Sequence, residues 1–337
     1  MATHTLDFER PLLELERQID EMKRVTGDTA VDVSKELAAL ERKLAELRGE
    51  IYRNLTPMQR VQVARHPKRP YTLDYVNTVF TDFVELHGDR LFRDDPAMVG
   101  GWARLDGMSV MLIGHQKGRD TKENLHRNFG MAHPEGYRKA LRLMGLAEKF
   151  GAPVITLVDT PGASTDTDAE AAGITGAIAE SLARLARLRT PVINVVVGEG
   201  GSGGALALSV GDRLLMHENA IFSVIGPEAA SAILYHDAEH AHELATRLKL
   251  TATDLVELRL VDRILPEQPA GHEAPDLMAT VLRQALLDEV GRLAGSSIKA
   301  LLKRREAKFR HVHELRGRLR MLIRYPPGPP HARAARA

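Results

Sequence analysis

The sequence predicts an α/β fold, and three observations carry the prediction. Apolar runs at 108–114 (MSVMLIG), 153–159 (PVITLVD) and 191–198 (PVINVVVG) are short and bounded by glycine or proline, as strands buried on both faces are. Amphipathic stretches alternate with them, GYRKALRLMGLAEKFG before the second run and AIAESLARLARLRT before the third, which is the order of an α/β domain. The chain has 337 residues and 44% hydrophobic content, enough for a full core, so disorder of the whole chain is excluded.

At the N-terminal end, apolar residues recur from Val33 at Leu37, Leu40, Leu44, Leu47 and Ile51, an alternating four-three spacing that puts them on one helical stripe. Residues 6–22 carry a similar stripe. Gly27 and Asp28 separate the two, with Asp32 or Ser34 as a candidate N-cap, so residues 1–66 predict a helical hairpin. Its apolar face must be covered, either by the rest of the chain or by another subunit. The linker ARHPKRP leads into a core over 67–270, in which 228–260 reads as mostly helical and is closed by VDRILPE. Residues 271–337 predict a helical region and a tail. From Lys299 the tail is rich in Lys and Arg against only Glu306 and Glu314, and it ends in RYPPGPPHARAARA, the composition of a disordered terminus. A solvated helix or contact with an acidic carrier domain would each account for these charges.

Overall charge gives no push toward nucleic acid or a membrane surface, since 46 Lys and Arg balance 45 Asp and Glu. No apolar run approaches the roughly 18 residues that span a bilayer, and the charged start MATHTLDFERPLLELER lacks a signal-peptide core, so a cytoplasmic location is expected. The absence of cysteine excludes disulfides, Cys-ligated zinc and a Cys nucleophile in this chain.

The densest motif is GEGGSGGALAL, residues 198–208, placed after a strand and opening a small-residue helical stretch. Glycine lets a ligand approach the backbone, and the unpaired N–H groups of a helix start face negative charge. This is a candidate anion or oxyanion site. Gly198, Gly200 and Gly203 also satisfy G-x-G-x-x-G, with Glu218 placed for a ribose contact, so a dinucleotide fold competes. That fingerprint usually sits on the first strand of its domain, whereas two strand-helix units precede this one, and Gly201 and Gly204 exceed its needs. Asp159-Thr160-Pro161-Gly162 matches the D-x-x-G of a GTPase switch, but no phosphate-binding G-x-x-x-x-G-K-[ST] loop precedes it. His236-Asp237-Ala238-Glu239-His240 matches H-x-x-E-H, a zinc pattern if both histidines share a helix face, yet no third ligand is identifiable. Segment 115–131 follows a strand and carries Lys117, Arg119, Lys122 and Arg127, which suit a phosphate-rich ligand or an exposed charged loop.

Taken in order and spacing, RPYTLDYV, GDRLFRDDPAMVGG, GHQKGRDTKENLHRNFGM, PEGYRKALRLM, VDTPGA, GEGGSGGALAL and FSVIGPEAASAIL resemble the alpha subunit family of bacterial acetyl-CoA carboxylase carboxyltransferase. The resemblance runs from LDFERPLLELE to about Pro266. It implies a crotonase-like (ClpP/crotonase) spiral fold and transfer of a carboxyl group from carboxybiotin to acetyl-CoA, giving malonyl-CoA. The implied partners are a zinc-ribbon beta subunit in an α2β2 assembly, a biotin carboxyl carrier protein and biotin carboxylase. Zinc is then expected in the beta subunit and no metal in this chain. The resemblance makes the N–H groups of Gly203 and Gly204 the oxyanion hole for biotin, with Gly200, Gly201, Ala205, Gly162 and Ala163 around it. A stand-alone CoA hydratase or decarboxylase of the same fold, another short acyl-CoA as substrate, and a noncatalytic scaffold are the alternatives. One departure stands out: after DTPGA the family usually continues Tyr-Pro-Gly, and here Ser164, Thr165, Asp166, Thr167 and Asp168 follow. Asp166 and Asp168 would either oppose an incoming anion or cap the next helix.

Overall fold

The computed structural model describes residues 5–28 and 34–314. Among them eight strands form one sheet: β1 (Thr81–Glu85), β2 (Met98–Leu105), β3 (Met108–His115), β4 (Val154–Thr160), β5 (Val192–Gly201), β6 (Arg213–His217), β7 (Ile221–Ser223) and β8 (Arg263–Leu265). Their order is β1-β2-β3-β4-β5-β6-β8, with β7 attached to β5. The three predicted apolar runs are β3, β4 and β5, parallel neighbours at the centre of the sheet. The β1–β2–β3 edge is antiparallel, and Asp106 and Gly107 close its second hairpin at φ 51° and 82°, the left-handed pair a two-residue turn requires.

Alternate residues of the central strands face two separate apolar layers, which is why these strands are apolar throughout rather than alternating. Met111, Ile113, Val154, Val158, Val192 and Val196 pack under the crossover helices Pro134–Phe150 and Ile174–Arg187. Leu112, Ile155, Leu157, Ile193 and Val195 pack under Thr72–Val79 and Pro275–Ala294. The first crossover helix ends on Gly151 at φ 68°, the left-handed C-cap that the sequence GAP after Phe150 supplies. β2 and the short strands β6 to β8 are not distinguishable by period. Gly100 and Gly101 interrupt β2, and a Cβ on Gly101 would lie 2.0 Å from the Val84 carbonyl oxygen, so its lack of a side chain is a packing requirement.

The N-terminal hairpin is present as helices Arg10–Asp28 and Ser34–Arg53. The first runs through Gly27 and Asp28 rather than turning there, Ser34 is already helical, and the connection with Asp32 lies outside the described residues. Leu44, Leu47 and Ile51 pack with Leu12, Tyr52, Val63 and Ala270, so this part of the stripe is covered by the chain itself. Glu9 ties the hairpin down by accepting from the Tyr52 hydroxyl and pairing with His272 Nε2 at 2.9 Å.

Residues 228–260 hold the predicted helices, Pro227–Tyr235, Ala241–Arg247 and Ala252–Glu257. The start of the basic tail is the helix Ile298–Glu314, and it is not wholly solvated. Arg305 is buried and donates to Asp212 and to the carbonyls of Leu185, Leu188 and Thr190, while Lys308 reaches Asp262 at 2.5 Å. Residues 315–337 lie outside the described residues. Among the described residues no helix is long and apolar enough to cross a membrane.

Candidate functional site

In a parallel sheet, ligands bind beyond the carboxyl ends of the strands. Here the ends of β4 and β5 lie side by side and lead into two turns, Pro161–Ala163 and Ser202–Gly204. Ser202 takes φ 53° and opens the helix Ser202–Leu206. The glycines of this segment have different tasks. A Cβ on Gly201 would lie 2.0 Å from the Pro161 carbonyl oxygen, and one on Gly204 would lie 2.5 Å from the Gly162 carbonyl carbon and Ala163 nitrogen. Both glycines let two backbones touch. Gly198 is pressed against the Asp159 carboxylate and Gly200 against Phe222, where added Cβ atoms would sit at 2.6 and 2.4 Å.

Gly203 is the exception, since a Cβ there would meet only Ile178 at 3.6 Å, an ordinary contact. It opens on a cavity of ≈ 370 Å³, lined also by Met131, Ala163, Thr165, Glu170, Ile174 and Ile178. The N–H groups of Gly203 and Gly204 fall in the first turn of the helix and donate to no acceptor among the described residues. Two adjacent free donors beside a cavity can stabilise an oxygen that gains negative charge. Of the other residues expected here, Gly162 and Ala163 form the facing turn, which the Thr160 hydroxyl shapes by donating to the Gly162 carbonyl and accepting its N–H. Ala205 belongs to the apolar core and is fully buried, so its side chain is a packing group rather than a ligand contact.

Three of the four basic residues expected to grip phosphate have partners within the chain. Lys117 is largely buried, donates to Asp159 Oδ1 at 2.7 Å and lies 3.5 Å from Glu199 Oε2. Burial works against its ammonium, but the Asp159 and Glu199 carboxylates outweigh it and hold the pKa above the ordinary lysine value. Arg119 stacks on the Tyr71 ring 3.9 Å from its centre, pairs with Asp74 and donates to the carbonyls of Pro67 and Arg69. Arg127 bonds Glu123 and the Pro96 carbonyl. Of the four, only Lys122 is exposed and without an ion pair among the described residues.

Asp159, the acid of the D-x-x-G match, is a staple between strands, accepting the Lys117 ammonium and the Glu199 N–H. His236 to His240 lies between two helices, His236 at φ 65°, so the pair has no common helix face. Glu218 accepts the Glu267 N–H instead of standing free for a ribose. In the divergent segment, Asp166 caps the helix Thr167–Ala171, accepting the Ala169 N–H at 2.7 Å, and pairs with His133 at 3.1 Å. Asp168 lines a different cavity, with His126, His133 and Arg93. The carboxylate that faces the Gly203 cavity is Glu170, which no sequence motif marks. Glu199 is likewise unmarked, although a lone acid among five glycines at a strand end is a signal for it.

The family described as acetyl co-enzyme A carboxylase carboxyltransferase-like matches residues 5–313. The chain is 55% identical over 308 residues to an acetyl-coenzyme A carboxylase carboxyl transferase subunit alpha of Thermus thermophilus, covering 91% of this chain and 98% of that protein. It is 54% identical to the protein of the same name from Gemmatimonas aurantiaca, covering 91% and 97%. Among solved structures, transcarboxylase 12S with hydrolysed methylmalonyl-coenzyme A bound aligns with a TM-score of 0.55 at 19% identity, over 68% of this chain and 43% of that one. The Pseudomonas malonate decarboxylase MdcD-MdcE hetero-dimer aligns with a TM-score of 0.53 at 24% identity, over 66% and 92%. At these identities the structural likeness shows the fold, and the fold is the crotonase-like α/β class that the sequence resemblance implied.

Proposed function

The chain belongs to the acetyl co-enzyme A carboxylase carboxyltransferase family, and from that premise we propose that Gly203 and Gly204 are its oxyanion site for biotin. The chain is an alpha-type carboxyltransferase subunit of an acetyl-CoA carboxylase, working with a beta subunit to transfer a carboxyl group to acetyl-CoA and so form malonyl-CoA. The observation that supports the site is the pair of adjacent free N–H groups at Gly203 and Gly204, with Gly203 lining a cavity at the carboxyl ends of β4 and β5.

Carboxybiotin on its carrier protein supplies the carboxyl unit and, once that unit has left, the base for the acyl-CoA α-proton. The chain's own part is electrostatic: the two N–H groups meet the ureido oxygen as its charge grows, and one such donor is worth about 3 kcal/mol in comparable sites. Ile174, Ile178 and Met131 make one wall apolar and limit water around these donors, which raises their effect. Lys117, Asp159 and Glu199 are held by one another and need not move a proton. A zinc-ribbon beta subunit supplies the donors for the thioester oxygen and most of the grip on CoA, to which Lys122 can add an unpaired ammonium from this chain. The biotin carrier and biotin carboxylase complete the assembly.

Malonyl-CoA decarboxylation in the presence of free biotin tests this, with and without the beta subunit. Activity is expected only with both chains. Full activity from this chain alone refutes the subunit reading.

A further inference from the structure

Besides the Ser164–Ile178 stretch, three turns contribute to the wall of the Gly203 cavity: the turn that ends in Met131, the Pro161–Ala163 turn and the step from Ser202 to Gly203. One lysine bears on all three. Lys117 Nζ donates to Asp159 Oδ1 at 2.7 Å and lies 3.5 Å from Glu199 Oε2. The same Asp159 oxygen accepts the Glu199 N–H at 2.9 Å, so it joins the ends of β4 and β5. Arg65 takes the other oxygen of Glu199 at 2.7 Å. The third segment rests on the lysine stem. A Cβ on Gly130 would lie 2.9 Å from Lys117 Cγ and 3.2 Å from the Asp159 carbonyl oxygen, beneath a turn in which Asn128, Phe129 and Gly130 all have positive φ, 42°, 54° and 80°. Bulky Phe129 holds such a conformation only where its surroundings enforce it. Asn128 adds a bond to Ser164 Oγ at 3.1 Å and one to the Met131 carbonyl.

We propose that Lys117 is a positioning residue of the carboxyl transfer, its ammonium holding the ends of β4 and β5 at the spacing that aims the Gly203 N–H into the cavity. This role rests on the oxyanion site proposed above. The lever is direct, because the two segments touch main chain to main chain at Gly201 and Gly204, and close-packed backbones shift together. Without the ammonium, Asp159 and Glu199 are two buried carboxylates side by side, with Arg65 on the far oxygen of one of them, and their repulsion parts the strand ends. A misdirected N–H weakens an interaction made as charge develops, so kcat falls while the binding of CoA is kept, the Lys117 ammonium being engaged by Asp159 and Glu199.

The test uses the assembled enzyme, this chain with its beta subunit, and follows malonyl-CoA decarboxylation with free biotin alongside thermal melting. Lys117→Met is expected to lower kcat about 100-fold with the KM for malonyl-CoA within about twofold, and Lys117→Arg to recover part of the loss. Adding Asp159→Asn to Lys117→Met is expected to cost little more, because both changes open the same clamp. Parent-like kcat in Lys117→Met overturns the proposal, as does a full further loss in the double variant. If Lys117→Met does not assemble, Lys117→Gln takes its place: it keeps part of the stem and a polar end and removes the ammonium. A fall in kcat at constant KM supports the clamp, and parent-like kcat overturns it. Gly203→Val separates the two levels. An inactive Gly203→Val beside a parent-like Lys117→Met removes the positioning role alone, whereas a fully active Gly203→Val removes the oxyanion site and the positioning role with it.

Discussion

Gly203 and Gly204 are adjacent and carry the same proposed donor role, yet the structure predicts opposite responses to substitution. A Cβ on Gly204 would stand 2.5 Å from the main-chain atoms of Gly162 and Ala163, and neither can yield without moving the turn after β4. Gly204→Ala is therefore an overpacking change costing about 1–3 kcal/mol, or a melting temperature several degrees lower at about 2 °C per kcal/mol. A Cβ on Gly203 meets only the end of Ile178 at 3.6 Å, and Gly203 has no positive φ, so Gly203→Ala and Gly203→Val keep the fold. In Gly203→Val the branched side chain projects into the cavity and blocks approach to the N–H, with an expected loss of kcat of about 10²–10³-fold, that of deleting one oxyanion donor. Thermal melting and decarboxylation of malonyl-CoA by the assembled enzyme, measured on the same preparations, decide the matter. A Gly204→Ala that melts with the parent, or a folded Gly203→Val with parent turnover, refutes the assignment of these tasks.

Other parts of the structure make their own predictions. His115 and His217 are fully buried, and burial pushes their pKa down to about 3 and about 4, below the ordinary 6.5. They contribute stability above pH 6.5 that is lost as pH falls toward those values, at about 1.4 kcal/mol per unit for each; melting between pH 7 and 4 should show it, and His217→Gln should flatten the fall. Arg69→Met leaves the Glu267 carboxylate buried without its bidentate partner, and denaturant unfolding should report a loss of about 3–5 kcal/mol. Asp166→Ala removes a helix cap that lies outside the Gly203 cavity, so stability should drop by about 1 kcal/mol with turnover unchanged. Glu170→Gln removes the one carboxylate lining that cavity among the described residues, and use of the carboxylated carrier should improve most at low salt, where an unscreened charge repels an anion furthest.

The central strands, the two crossover helices and the hairpin were legible because each is a local pattern: apolar runs of strand length, a four-three stripe, a glycine where a helix must stop. The glycine-rich turn was legible as a place where backbone matters, and a series of long motifs in register identified the family. What the sequence could not apportion was the task of each glycine, since close approach to another backbone and access for a ligand require the same missing Cβ. Only the packing of Pro161 to Ala163 on Gly201 and Gly204 separates them from Gly203. The charged residues show the same limit. Lys117, Arg119 and Arg127 look alike in a loop, and whether a cation meets solvent, ligand or a buried carboxylate depends on Asp159, Glu199, Asp74 and Pro96, brought to them from other parts of the chain. Local pattern and family membership belong to the sequence by itself. The partner of each charge and the neighbour of each glycine belong to the tertiary structure, because both are set by distances between residues that the chain order does not contain.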